Sequence, residues 1–125
     1  MKTAATTLEL RDPRTLDEAL ALMAGDGPLV PIAGCTDVFV NLHFGTTTDR
    51  RFINLWPLDE LRGIEVRDGV LRMGALTTYT DAIRSPEVRD WLPALVAASR
   101  EVGGVQIQNR GTLAGNLANG SPAGD

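Results

Sequence analysis

Between Thr7 and Leu55, three strand-type segments alternate with two helix-type segments, and this order constrains the fold more than any other feature. Leu8 and Leu10 alternate with polar neighbours in Thr7-Leu8-Glu9-Leu10-Arg11, which predicts a short strand. Asp12-Pro13-Arg14 breaks it. Thr15-Leu16-Asp17-Glu18 has the form of a capping box, and Leu16, Ala19, Leu20 and Met23 follow at helical spacing. Gly25 reads as the left-handed residue that stops this helix. Leu29-Val30-Pro31-Ile32-Ala33 is a nearly continuous apolar run, as in a strand buried on both faces. Pro31 cannot donate to a ladder and so implies an edge. Gly34-Cys35-Thr36-Asp37 then turns the chain into Val38–Leu42, with Thr36 or Asp37 as the helix cap, and Arg51–Leu55 gives a third strand. Parallel strands need crossover connections, so the order predicts a small parallel sheet with helices packed on it.

Trp56-Pro57 marks a change of pattern, dividing the chain into residues 1–57 and 58–125. Ile64-Glu65-Val66-Arg67 and Val70-Leu71-Arg72-Met73 flank Asp68-Gly69, a hairpin signal. A two-residue turn places Val66 opposite Leu71, Ile64 opposite Met73 and Glu65 opposite Arg72. Each such pair contributes roughly 0.2–1 kcal/mol. Thr77 or Thr78 then caps a short helix from Tyr79 to Arg84, ended near Ser85-Pro86. A firmer helix follows Trp91-Leu92-Pro93, with Leu92, Leu95, Val96 and Ser99 on one face and Gly103-Gly104 at its end. Val105 and Ile107 alternate as a brief extended segment. The fold class is α+β.

The stretch from Gln108 through Asn116 has the wrong composition for a core element. Gly111, Ala114 and Gly115 sit among hydrogen-bonding side chains, and Ser121-Pro122 leads on to Asp125. Such a loop either closes its polar groups on itself or presents them to an oxygen-rich ligand. Ala33–Asp37 offers a complementary feature, since a strand turning into a helix exposes N–H groups at the positive end of the helix dipole and can hold a phosphate. The remaining candidates read as structural. Cys35 has no second cysteine, and the one histidine, His43, lies at a helix end. No residue has the surroundings of a general acid or base. The net charge of −4, with no Lys/Arg cluster beyond Arg50-Arg51, excludes a nucleic-acid surface. No apolar run is long enough to span a membrane. One histidine and one cysteine leave too few ligands for a zinc site. The absence of a signal peptide and of a cysteine pair predicts a cytoplasmic protein.

Taken together, the two loops resemble a known family. Pro31-Ile32-Ala33-Gly34-Cys35-Thr36-Asp37 is similar to the apolar-A-G-G-T-D loop of the FAD-binding subunits of molybdenum hydroxylases, the family of xanthine dehydrogenase and aerobic carbon monoxide dehydrogenase. Gln106–Leu117 with Ser121-Pro122-Ala123-Gly124-Asp125 resembles that family's Q-I-R-N-x-x-T-x-G-G-N-I…S-P-x-x-D signature. Thr15–Leu20 and Met73–Thr77 match in order and spacing.

The resemblance implies the two-subdomain FAD fold of vanillyl-alcohol-oxidase (PCMH) type, with the second subdomain incomplete. Pro31, Ile32, Ala33, Gly34, Cys35, Thr36, Asp37 and Val38 would wrap the FAD pyrophosphate through main-chain N–H groups. Thr112, Leu113, Ala114, Gly115 and Asn116 would contact the phosphate, ribityl and flavin side. Asp125 would hold cofactor hydroxyls, and Val102 takes the place of an apolar residue that often lies beside the flavin. Neither catalytic nor metal-binding residues are implied. The implied partners are a large subunit with the molybdenum cofactor and a small subunit with 2Fe-2S clusters, in a hetero-oligomer. Electrons would pass from those clusters through FAD to NAD, oxygen or a quinone-type acceptor. Three positions depart from the pattern: Cys35 replaces a second glycine, Ala114 the first glycine of a pair, and Gln108 an arginine. Family members continue past Asp125, so the 125 residues alone are expected to bind FAD weakly or not at all. The rival readings are a flavin-free scaffold fragment of the same assembly and a stand-alone flavin oxidoreductase of the broader fold.

Overall fold

The computed structural model describes residues 2–122, so Asp125 lies outside the described residues. The chain forms two compact units, Met1–Glu60 and Leu61–Asp125. The first contains β1 (Glu9–Arg11), α1 (Leu16–Gly25), β2 (Val30–Ile32), α2 (Thr36–Phe44) and β3 (Arg51–Asn54). Its sheet has the order β1-β3-β2, with both neighbours parallel to β3. Leu10 pairs with Phe52, and Pro31 pairs with Ile53. The central strand carries the core, with Phe52 and Ile53 both buried beside Ala19, Leu29, Leu42 and Leu58. Pro31 lies on an edge strand, as its missing N–H requires. It is also exposed, so β2 is not covered on both faces as its apolar run suggests.

Thr15 caps α1, its hydroxyl accepting from the Glu18 N–H at 3.1 Å. The Glu18 carboxylate accepts from the Arg14 N–H at 2.8 Å. A second carboxylate comes from far along the chain, as Glu60 accepts from the Leu16 N–H at 2.5 Å. The left-handed stop is Gly27 (φ 77°), not Gly25. The helical ladder runs on until Asp26 N–H bonds to Leu22 O at 2.9 Å, which keeps Gly25 inside the last turn.

A ring of four charges ties the end of α1 to the sheet. Arg51 donates to Glu9 at 2.9 Å, Arg11 donates to Asp26 at 2.7 Å, and Arg11–Glu9 (2.9 Å) and Arg51–Asp26 (3.1 Å) close it. Arg51 also donates to the Asp26 carbonyl at 2.7 Å. The Arg51 hydrogen bond holds the Glu9 carboxyl below its ordinary value of 4.5, and the Arg11 hydrogen bond holds Asp26 below 3.8.

In the second unit, β4 (Ile64–Arg67) and β5 (Val70–Met73) form the hairpin in the expected register. Asp68 (φ 52°) and Gly69 (φ 74°) are both left-handed, as a type I′ turn demands. Five helices follow: α3 (Tyr79–Arg84), α4 (Pro86–Trp91), α5 (Pro93–Glu101), α6 (Val105–Gln108) and α7 (Leu113–Asn119). Ala82, Val88 and Val96 form their core, with Ile64, Met73 and Leu95 packed against it.

Three of these helices differ from the sequence reading. Ser85-Pro86 ends α3 but also starts α4, because Pro86 occupies a first-turn position and Ser85 Oγ accepts from the Val88 N–H at 3.2 Å. Val105 and Ile107 belong to α6, not to an extended segment. Both are exposed, so their alternation reflects no buried face. The supposed loop after Gln108 winds into α7.

Gly74 has no room for a side chain. A Cβ there would approach Leu61 O and stand 2.7 Å from Leu61 C and 2.8 Å from Arg62 C, all backbone. Gly74 N–H and Leu76 N–H bond to Gly63 O and Leu61 O on the same segment. Gly74→Ala is expected to destabilise the fold by about 1–3 kcal/mol in urea denaturation, as a forced backbone displacement does. The charge ring predicts an acid limb. Carboxylates with depressed folded pKa values contribute stability above their unfolded values and lose it as pH falls through the folded ones. Stability should therefore decline from about pH 5 to about pH 3, and Arg51→Met should flatten that decline in a pH series of thermal melts.

Candidate functional site

The start of α2 is an uncapped polar feature of the first unit. β2 delivers the chain to Gly34, which is buried, and Cys35 then turns it with φ 63° and ψ 13°. Cys35, and neither Thr36 nor Asp37, is the cap residue, and no side chain closes the helix start. The reason is geometric. The left-handed turn comes one residue earlier than a hydroxyl cap requires, and the thiol bends back to the Ala33 carbonyl at 3.5 Å. Phe39 N–H is the first to bond within the helix, to Cys35 O at 3.0 Å. Among the described residues, the N–H groups of Thr36, Asp37 and Val38 have no acceptor. Three donors converge at the positive end of a nine-residue helix, a site for an anion rich in oxygens. The Asp37 carboxylate is exposed in the same first turn and adds the one negative charge there. His43 sits exposed at the other end, edge-on to Phe44, and plays no part in this feature.

The second sequence-predicted cluster is built differently. Thr112 is buried, and its hydroxyl accepts from the Gly115 N–H at 3.0 Å, capping α7. Leu113 N–H bonds to Thr77 O at 3.0 Å. Of the first three N–H groups of α7, only that of Ala114 is left without an acceptor among the described residues. The glycines answer to internal packing. A Cβ on Gly115 would lie 2.6 Å from Thr112 Oγ1, and one on Gly111 would lie 2.9 Å from Tyr79 Cε2. Leu113, Ala114, Gly115 and Asn116 are half-buried.

Val102 is buried at the end of α5, and its carbonyl and that of Arg100 both accept from Gln108 Nε2 at 3.1 Å. The glutamine standing in the arginine position therefore closes the helix end next to Val102. Of the predicted site residues, Pro31–Val38 fall in the first unit, and Val102 and Thr112–Asn116 in the second. The sequence reading missed the segment Thr77–Thr80 that backs Thr112. The Thr78/Asp81 capping box was its readable trace. Among the described residues there is no group of three metal-ligating side chains and no helix long and apolar enough to cross a membrane.

A parallel sheet whose strand β2 feeds an uncapped helix start forms one unit, and a hairpin with five helices forms the other, in one mixed helix-and-sheet chain. Residues 6–125 match the family described as the FAD binding domain in molybdopterin dehydrogenase, and the chain belongs to that family, whose cofactor is FAD. It is 39% identical over 112 residues to the xanthine dehydrogenase FAD-binding subunit of Escherichia coli O157:H7, covering 89% of this chain and 38% of that protein. It is 37% identical to the nicotinate dehydrogenase FAD-subunit of Eubacterium barkeri, covering 90% of this chain and 39% of that one. Among solved structures, carbon monoxide dehydrogenase from Hydrogenophaga pseudoflava superposes with a TM-score of 0.89 at 31% identity, covering 94% of this chain and 42% of that chain. Reconstituted CO dehydrogenase from Oligotropha carboxidovorans gives 0.92 at 27% identity, over 100% and 43%. The chain thus spans about two fifths of the length of these relatives.

The residues present fit a dinucleotide. The N–H groups at the start of α2 lack acceptors among the described residues, and Gly34 before them carries no side chain. Position 35 yields a stability prediction. Cys35→Val, which places a β-branched residue at positive φ, should cost about 1–2 kcal/mol in chemical denaturation. Cys35→Gly should change stability by less than about 0.5 kcal/mol, since the relief of strain is offset by the greater freedom of the unfolded chain.

Proposed function

We propose that this chain supplies FAD-binding sequence to the medium, flavin-carrying subunit of a molybdenum-containing hydroxylase or dehydrogenase. The observation that carries the reading is the uncapped start of α2, with three main-chain donors and no acceptor among the described residues. In this reading Pro31–Val38 bind the pyrophosphate, with Thr36, Asp37 and Val38 donating main-chain N–H bonds. Thr112–Asn116 serve the ribityl and flavin side, Val102 lies beside the flavin, and Asp125 holds cofactor hydroxyls. Residues 1–57 and 58–125 are then the two parts of a vanillyl-alcohol-oxidase-type FAD fold. When bound, FAD supplies the redox chemistry, taking electrons from iron–sulfur clusters and delivering them to an external acceptor. The chain's own groups bind and orient, and none transfers a proton. The partners are a molybdenum-cofactor large subunit and a 2Fe-2S small subunit, in the cytoplasm. The 125 residues alone carry no such activity.

The likeness to FAD subunits of xanthine and nicotinate dehydrogenases supports the reading. The test is Thr36→Glu in the protein expressed from its natural gene. A carboxylate in the first turn favours the helix but competes with the pyrophosphate for its N–H groups. FAD affinity, measured by fluorescence titration of the apoprotein, should fall about tenfold or more while the melting temperature holds or rises. Unchanged affinity would show that the pyrophosphate is bound elsewhere.

A further inference from the structure

The segment Asn109–Leu113 reaches α7 along the first turn of α3, and both lie in the second unit. Two main-chain hydrogen bonds join them, Tyr79 N–H to Gly111 O at 3.3 Å and Leu113 N–H to Thr77 O at 3.0 Å, and Thr78 bridges to Thr112. One side-chain link stands at the head of this ladder. The Thr80 hydroxyl donates to Asn109 Oδ1 at 2.5 Å.

Each partner is itself fixed. Thr80 sits in a helix turn closed by a complete capping box, in which Thr78 Oγ1 accepts from Asp81 N–H and Asp81 Oδ2 accepts from Thr78 N–H, both at 3.0 Å. Asn109 ends α6, its N–H bonded to Val105 O at 2.9 Å. Two residues later, Gly111 N–H bonds to Ile107 O at 2.7 Å. The pair therefore clamps the end of α6 onto the start of α3. From that clamp the chain has three residues in which to reach Thr112, the cap of α7. A shift of Asn109 passes to Thr112 with little backbone between them to absorb it.

We propose that Thr80 and Asn109 are positioning residues for the cofactor: their hydrogen bond sets the register of Gly111 and Thr112 on α3 and so aims the start of α7 at FAD. The proposal rests on the reading that Thr112–Asn116 serve the cofactor. Neither residue touches FAD in that reading; both act through Thr112. The two backbone bonds survive when the side-chain link is cut, so the fold is retained while the aim is lost.

The test uses the protein expressed from its natural gene, with Thr80→Val, Asn109→Leu, the double variant, and the conservative Thr80→Ser and Asn109→Asp. Thr80→Ser keeps the donor and Asn109→Asp keeps the acceptor. FAD affinity and the visible circular dichroism of bound flavin are measured beside the urea midpoint. Thr80→Val and Asn109→Leu should each weaken FAD binding about fivefold to tenfold, the loss of one hydrogen bond, and change the flavin dichroism. The double variant should be no worse than either single one, and the conservative variants should bind as wild type does. Wild-type affinity and dichroism in Thr80→Val and Asn109→Leu would overturn the proposal, as would additive losses or losses that only track the urea midpoint. Failure of the wild-type protein to bind FAD would instead refute the functional reading beneath it.

Discussion

Three N–H groups at the start of α2 have nothing in the described protein to accept them, and the candidate site depends on that deficit. Most helices satisfy their first turn with a serine, threonine or aspartate, each cap worth about 0.5–2 kcal/mol. α1, α3, α4 and α7 all do so, through Thr15, Thr78, Ser85 and Thr112. At α2 the residues suited to capping, Thr36 and Asp37, fall one and two positions too late. The left-handed turn at Cys35 is what displaces them. α5 and α6 lack a side-chain cap as well, but α5 opens on a proline with no N–H to satisfy and α6 is four residues long. α2 is therefore the longer helix with three open donors, an arrangement suited to an acceptor with several oxygens.

The surrounding unit keeps that helix start in place. α2 follows directly from β2, an edge strand that pairs with β3, with Leu55 N–H adding a bond to Ile32 O at 2.9 Å. β3 is in turn anchored at its first residue, since Arg51 belongs to the ring of charges that grips Glu9 of β1 and Asp26 after α1. These ion pairs are partly exposed, and pairs of that kind contribute little to global stability. Their role here is geometric, because Asp26 and Gly27 form the turn that leads into β2.

Much of this was legible in the sequence. The alternation of strand and helix segments gave the parallel sheet, and Asp68-Gly69 gave the hairpin with its residue pairs, because both are local patterns with one sterically favoured outcome. The stops and starts of helices were less legible. Ser85-Pro86 reads as a terminator and is also an initiator, since a proline without an N–H suits a first turn as well as it ends a preceding helix. Gly25 reads as a stop where Gly27 performs the task, because nothing local says how far a ladder will run. Cys35 was the hardest position: its conformation is set by the path from β2 into α2, and no propensity places cysteine at positive φ. The long-range backing of Thr112 by Thr77–Thr80 joins residues more than thirty positions apart, so a short window shows the capping box of Thr78 and Asp81 but not the segment it supports.

A Cβ at Gly111 or Gly115 would crowd Tyr79 or the Thr112 hydroxyl, so the fold itself calls for glycine at both positions whether or not a flavin is bound. A lineage that abandoned the cofactor would keep both, and a signature weighted on them would go on matching. The part free to drift in such a lineage is the beginning of α2, where no cap of the described protein depends on the residues that carry the open donors. Loss of flavin use within this family should therefore be written at the start of α2, not in the glycines.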